Sequence, residues 1–254
     1  MFFSKYSASG NDFIITHTFG FQENFWGELA KKICHRQEGV GADGLIVLKP
    51  HSAYDFEWEF YNADGSAPKM CGNGSRAAAL YARDFRLASS VQKFLTGAGV
   101  IDAEIFDEEN FKKLESKILV ESALTKAKVL QKNIQEYGVS WWLIDTGVPH
   151  LVCENAHLNK EELRALRHKY NANVNIATLE QDCVRARTFE RGVEDETLAC
   201  GTGMAAMFYY LKEASKVPNP CCFKPASNEE LFLREEKGRI FLKGSVRKIC
   251  DFVY

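Results

Sequence analysis

The sequence predicts an α+β protein made of two similar halves, and three observations carry that expectation. Strand-like segments come in groups, without the regular βαβ alternation of a doubly wound sheet. A Cys-Gly-x-Gly motif followed by an Ala-rich apolar stretch occurs twice, opening at Cys71 and at Cys200. The two copies stand 129 residues apart, about half of the 254-residue chain, as a duplicated unit would give.

Along the chain, short alternating or β-branched runs read as strands. Asp12–Thr16 and Gly44–Leu48 are the first two, and Phe56-Glu57-Trp58-Glu59-Phe60-Tyr61 has aromatics at a clean period of two. Further strands are expected near 99–106, 114–122, 139–146, 174–180 and 183–190, with more in 230–253. Trp26 to Arg36 is an amphipathic helical segment. Lys160 to Tyr170 is another, with Leu163 and Leu166 on one face and Asn159 placed as its N-cap. The stretches after Cys71 and Cys200 read as buried helices. The charged run 107–117 is either the boundary between the halves or a solvated hairpin. Taken as the boundary, it sets an N-terminal half of 1–112 and a C-terminal half of 113–245.

Composition narrows the class. The chain is 46% hydrophobic and 26% charged, which excludes low-complexity disorder. A net charge of −2 offers no basic excess for binding nucleic acid. The longest uncharged apolar stretch, Thr197–Leu211, is shorter than the roughly 20 residues of a membrane span. The N-terminus reaches the polar run Ser9-Gly10-Asn11-Asp12 too early for a signal peptide. These features predict a soluble cytoplasmic protein whose eight cysteines are reduced thiols, most of them small packing residues. No C-x-x-C pair or zinc-finger spacing occurs, so no structural metal is expected.

Cys71 and Cys200 differ from the other six by context. Each precedes a glycine turn that opens a helix, where backbone N–H groups point outward and the helix end carries roughly half a positive charge. Such an end accepts a carboxylate or phosphate. It also lowers a thiol pKa from its usual value of about 8.5. Two such thiols facing one bound anion could act as general base and general acid on opposite faces of a carbon, inverting it. A redox pair is the rival reading, and a single Cys-Gly-x-Gly would be read as a buried Cys in a turn.

Other motifs weigh less. Gly39-Val40-Gly41-Ala42-Asp43-Gly44 matches a dinucleotide fingerprint but follows a helix and opens a strand, the wrong order. Cys221-Cys222 are placed in a loop as packing residues. His150 falls on a tight turn after a strand, where it is either structural or functional. Glu190-Arg191-Gly192 ends a strand before the second thiol loop and offers a surface ion pair or an Arg fork for a carboxylate. Asn11 and Asn62 sit in Gly/Asp-rich turns, and each alone would be a turn former.

Taken together, these segments resemble the diaminopimelate epimerase family nearly end to end. The resemblance rests on Ser9-Gly10-Asn11-Asp12-Phe13, Gly39–Gly44, Tyr61-Asn62-Ala63-Asp64-Gly65-Ser66, Met70-Cys71-Gly72-Asn73-Gly74, Glu190-Arg191-Gly192 and Ala199-Cys200-Gly201-Thr202-Gly203. It implies two similar domains, each a β-sheet wrapped around a central α-helix, with the active site in the cleft between them. It further implies that strand 246–254 returns to the first domain, and that the protein is a homodimer. The implied activity is epimerisation of LL- to meso-diaminopimelate with no pyridoxal phosphate or metal. Cys200 would take the α-proton and Cys71 would return one, with His150 and Glu190 supporting abstraction. Asn11, Asn62, Gly72, Asn73, Asn173, Glu190, Arg191, Gly201 and Thr202 match substrate contacts. Asn175 competes with Asn173 for its assignment.

Two departures stand out. The family usually reads Gly-Asn-Pro-His where this chain has Gly147-Val148-Pro149-His150, so Val148 cannot supply an Asn contact. The family's His-Gly-Leu-Gly before Asn11 is here Ser7-Ala8-Ser9-Gly10. A proline racemase-like enzyme is the nearest enzymatic rival, and a non-catalytic thiol redox or binding protein on the same fold is the other.

Overall fold

The computed structural model describes residues 1–20, 25–106 and 118–254. The charged run 107–117, and with it the expected boundary at 112/113, lies outside the described residues. The chain forms two compact units, residues 1–122 with 244–254, and residues 123–243.

In the first unit the strands are β1 (Phe2–Ala8), β2 (Asn11–His17), β3 (Gly44–Lys49), β4 (Phe56–Asn62), β5 (Val91–Thr96), β6 (Gly99–Phe106) and β7 (Ile118–Ala123). They are neighbours in that order. Pairs β2–β3 and β4–β5 are parallel, and the described pairs between the others are antiparallel. The last strand, Arg239–Val253, adds its residues 246–253 antiparallel to β1.

Helix α2 (Gly72–Asp84) packs into one face of this sheet. Its Ala77, Ala78, Ala79, Leu80, Tyr81 and Ala82 share a core with side chains from every one of these strands, among them Tyr6, Phe13, Ile46, Trp58, Phe94, Ile101, Val120 and Val246. The alanines explain the fit, because short side chains let a curved sheet close on a helix along most of its circumference. Helix α1 (Trp26–Ile33) covers the opposite face of β2 and β3 through Trp26, Ala30 and Ile33 against Ile14, Leu45 and Val47. Covered on both faces, β2 and β3 are apolar runs, whereas β4 alternates.

The second unit repeats the plan. Its strands are β8 (Lys128–Glu136), β9 (Val139–Asp145), β10 (Pro149–Glu154), β11 (Asn173–Leu179), β12 (Val184–Glu190), the short β13 (Asp195–Glu196), β14 (Cys221–Lys224) and β15 (Leu231–Glu236). The final strand, β16, starts here and pairs with β15 over residues 239–243. Helix α3 (Lys160–Tyr170) packs Leu163 and Leu166 against Trp141, Leu151, Val174, Ile176 and Phe189. Its N-cap is Asn159, which accepts from Glu162 N–H at 3.0 Å while the Glu162 carboxylate accepts from Asn159 N–H at 2.8 Å. Helix α4 (Gly201–Glu213) lies against β9, β10, β11, β12 and β15.

Two expectations are corrected. Cys221-Cys222 are in a strand, not a loop, and Cys222 forms a disulfide with Cys183, so these two of the eight cysteines are not thiols. Register explains the pairing: β12 and β14 run parallel with Val184 opposite Phe223, which sets Cys183 beside Cys222 with Cα atoms 4.6 Å apart. His150 is in strand β10, fully buried, and not in the turn itself. No helix among the described residues is long and apolar enough to cross a membrane.

Candidate active site

Each echoed cysteine is the N-cap of a thirteen-residue helix, in extended backbone conformation. Cys71 precedes α2; its Sγ accepts from Gly74 N–H at 3.4 Å, and its carbonyl accepts from Ser75 N–H at 2.8 Å. Cys200 precedes α4; its carbonyl accepts from Met204 N–H at 2.9 Å, and its sulfur lies 3.5 Å from Thr202 Oγ1. Space is tight at the glycines of both turns, and far tighter at the second. A Cβ on Gly74 would stand 3.3 Å from Ile46 Cδ1 and from the Trp58 ring, and one on Gly203 only 2.4 Å from Asn175 Oδ1.

Around Cys71 the first unit assembles a polar chain. Arg76, fully buried one turn into α2, donates to Asn73 Oδ1 at 2.8 Å and to Ser9 Oγ at 2.6 Å. Asn73 donates to Asn11 Oδ1 at 2.6 Å, and Asn11 donates to Asp43 Oδ2 at 2.8 Å. Arg36 then joins Asp43 to Asp12. Burial pushes the Asp12 carboxyl up, but hydrogen bonds from Arg36 and Lys5 outweigh it and hold the group below the usual carboxylate range. Asn11 and Asn73 are thus tied to Arg76, which also donates to the Gly72 carbonyl at 3.4 Å, and Lys5 Nζ holds the Gly41 turn at 2.5 Å. Asn62 stands apart from this chain: its amide donates to Ser66 Oγ at 2.9 Å in its own turn.

Around Cys200 the second unit places His150, Asn175 and Thr188 on the sheet face that meets α4. Period two explains this, since Leu151, Val174 and Phe189, their chain neighbours, face α3. Thr146, fully buried in the turn before His150, donates to Thr202 carbonyl at 2.9 Å and so fastens that turn to the thiol loop. Asn173 pairs opposite His150 and accepts from Arg191 N–H at 2.8 Å, which fixes the end of β12. Asn175 is completely buried, bonded to His150, Leu151, Asn173 and Thr188. Of the two asparagines, Asn175 is committed to the interior.

Burial drives the His150 pKa down to about 3, with the Arg191 charge adding to the effect, so the ring is neutral near pH 7. Burial also raises the Glu190 carboxyl above its ordinary range, with the Thr197 side chain working the other way. For metal, the described residues offer one grouping, Cys183, Cys222 and Glu230, whose two sulfurs are spent in the disulfide. The sequence alone assigns no role to Ser9, Arg76, Thr146 or Thr188. Arg76 did carry a signal: a lone charge inside an Ala-rich apolar stretch asks for a buried partner.

Each of the two units thus wraps its sheet around a buried helix that a cysteine opens, and this fold is shared with solved proteins. Over 99% of this chain and 98% of the other, it is similar to a phenazine biosynthesis protein of the PhzF family from Bacillus anthracis, with a TM-score of 0.72 at 15% identity. It is also similar to a hydroxyproline epimerase from Agrobacterium vitis, with a TM-score of 0.69 at 14% identity, covering 99% and 91% of the two chains. A sequence description of the family named diaminopimelate epimerase matches residues 3–118. A diaminopimelate epimerase from a Nitratiruptor species is 56% identical over 97% of this chain and 96% of its own. One from Helicobacter pylori is 45% identical over 98% and 94%. The chain belongs to the diaminopimelate epimerase family.

Proposed function

We propose that this protein is a diaminopimelate epimerase that interconverts LL- and meso-2,6-diaminopimelate, with Cys71 and Cys200 as the paired base and acid. The function follows from family membership, and the observation that supports the residue roles is the position of both cysteines as N-caps of buried helices. Each cap places a sulfur beside outward-pointing N–H groups. Those groups suit the α-carboxylate and stabilise the negative charge that develops when the α-proton leaves. In the LL-to-meso direction the Cys200 thiolate removes the proton and the Cys71 thiol delivers one to the other face. His150 and Glu190 support the abstraction. Asn11, Asn62, Asn73, Asn173 and Arg191, with the backbone of Gly72, Gly201 and Thr202, bind the substrate and distinguish its two ends. The reading places the reaction in the cytoplasm, in a homodimer, without a cofactor, nucleic acid or membrane.

The test is α-deuterium uptake in D2O with LL-diaminopimelate and, separately, L-proline, followed together with optical rotation. Uptake with diaminopimelate and inversion at one centre are expected. Uptake with proline alone would reject the substrate. In the same assay Cys71→Ala and Cys200→Ala should each abolish turnover, and full activity of either would reject the two-thiol assignment.

A further inference from the structure

We propose that Asn175 is a positioning residue that holds His150 as the neutral tautomer with its proton on Nε2, so that His150 serves the reaction as a hydrogen-bond donor and not as a proton acceptor. The orientation of the Asn175 amide is set by its neighbours. Its Nδ2 lies 3.2 Å from both Leu151 carbonyl and Asn173 carbonyl, atoms that can only accept. Its Oδ1 lies 3.0 Å from Thr188 Oγ1, which donates to it. A flipped amide would set an oxygen against two carbonyl oxygens.

With the amide so fixed, the NH2 group also faces His150 Nδ1 at 3.1 Å. Its two hydrogens serve three acceptors, one of them shared, and Nδ1 must present its lone pair. A proton there would point at another donor inside a fully buried cluster. The ring's one proton is therefore on Nε2. That atom is buried and has no hydrogen-bond partner among the described residues. A buried donor of this kind is costly unless a ligand completes it. An anionic acceptor suits it, which an amino-acid substrate and a thiolate both supply. Asn175 also touches the thiol helix, since its Oδ1 fills the place a Cβ on Gly203 would take. One amide thus sets both the histidine ring and the seat of the Cys200 loop.

The inference rests on the role of His150 given under Proposed function, and it can fail separately. The measurement is the 15N chemical shifts of both His150 ring nitrogens in the 15N-histidine-labelled full chain at pH 7.5, assigned by difference from His150→Gln. The expected result is a protonated Nε2 and an unprotonated Nδ1. A proton on Nδ1, or on both nitrogens, would overturn the proposal with no variant needed. Asn175→Asp exchanges the donor for an acceptor and should move the proton to Nδ1 or make the ring cationic. With it, kcat should fall by at least about tenfold, as a wrong tautomer does in other acid–base enzymes, while KM stays within about threefold. A folded Asn175→Asp protein whose ring proton has moved and whose kcat is unchanged would also overturn it. Unchanged kcat in His150→Gln would instead reject the role of His150 itself, whatever the spectrum shows.

Discussion

Gly203→Ala tests whether the second thiol loop is seated on a fixed polar cluster. The backbone at Gly203 is right-handed helix, so alanine meets no conformational barrier, and on an exposed helix this change would stabilise by up to about 1 kcal/mol. Here the new Cβ would stand 2.4 Å from Asn175 Oδ1 and 3.1 Å from Thr188 Oγ1. Asn175 is fully buried and cannot retreat without giving up bonds to Leu151, Asn173 and His150. Overpacking of this kind costs about 1–3 kcal/mol, and each buried hydrogen bond displaced costs about 1 kcal/mol more. With all three bonds given up and the helix gain set against these costs, the net loss is about 3–5 kcal/mol. Urea unfolding followed by circular dichroism measures it, with Gly74→Ala as the comparison. There the contacts are 3.3 Å to the ends of Ile46 and Trp58 side chains, so the expected loss is within about 1 kcal/mol. A Gly203→Ala protein as stable as the wild type would refute the argument, because the Asn175 cluster would then yield at no cost.

Three further outcomes follow from the same structure. Thr146→Val removes the hydroxyl that donates to Thr202 carbonyl and should cost about 1 kcal/mol. It should also lower kcat, and Thr146→Ser should restore both; equal kcat in all three proteins would show that the tie does not matter. Asn159→Ala, which removes the side-chain half of the capping box of α3 and keeps the backbone N–H that donates to Glu162, should lose about 1 kcal/mol in the same unfolding assay and leave KM unchanged. For His150 the folded pKa lies below the unfolded value of 6.5, near 3. In that window the unfolded chain binds a proton that the folded chain does not, so this stability is present above pH 6.5 and is lost as the pH falls. Between pH 6.5 and pH 5 the loss is about 2 kcal/mol, and it should be missing from the stability–pH curve of His150→Gln. Parallel curves for the two proteins would refute the burial argument.

Legibility in the sequence tracked how local each signal was. The helices from Trp26 and Lys160, the Asn159 cap and the alternating strand at Phe56 were all readable, because period and caps are set by residues a few positions apart. The Cys-Gly-x-Gly echo was readable for the same reason, and it marked both helix N-caps. Strands β1, β8 and β14 were not singled out, since their residues gain strand character only from the partners they pair with. His150 looked like a turn residue next to Val148-Pro149, yet the strand starts at Pro149 and buries it.

By itself the sequence determined an α+β chain with a repeated thiol-and-helix plan, and which two of eight cysteines open those helices. Tertiary structure decided everything that depends on register and face. It set Cys183 beside Cys222, turned Asn175 inward while Asn173 holds the end of β12, and joined Arg76, Asn73 and Asn11 across 65 positions of chain. The reason is geometric. A strand's partner and facing are set by pairing across the sheet, and no window of neighbouring residues contains that information.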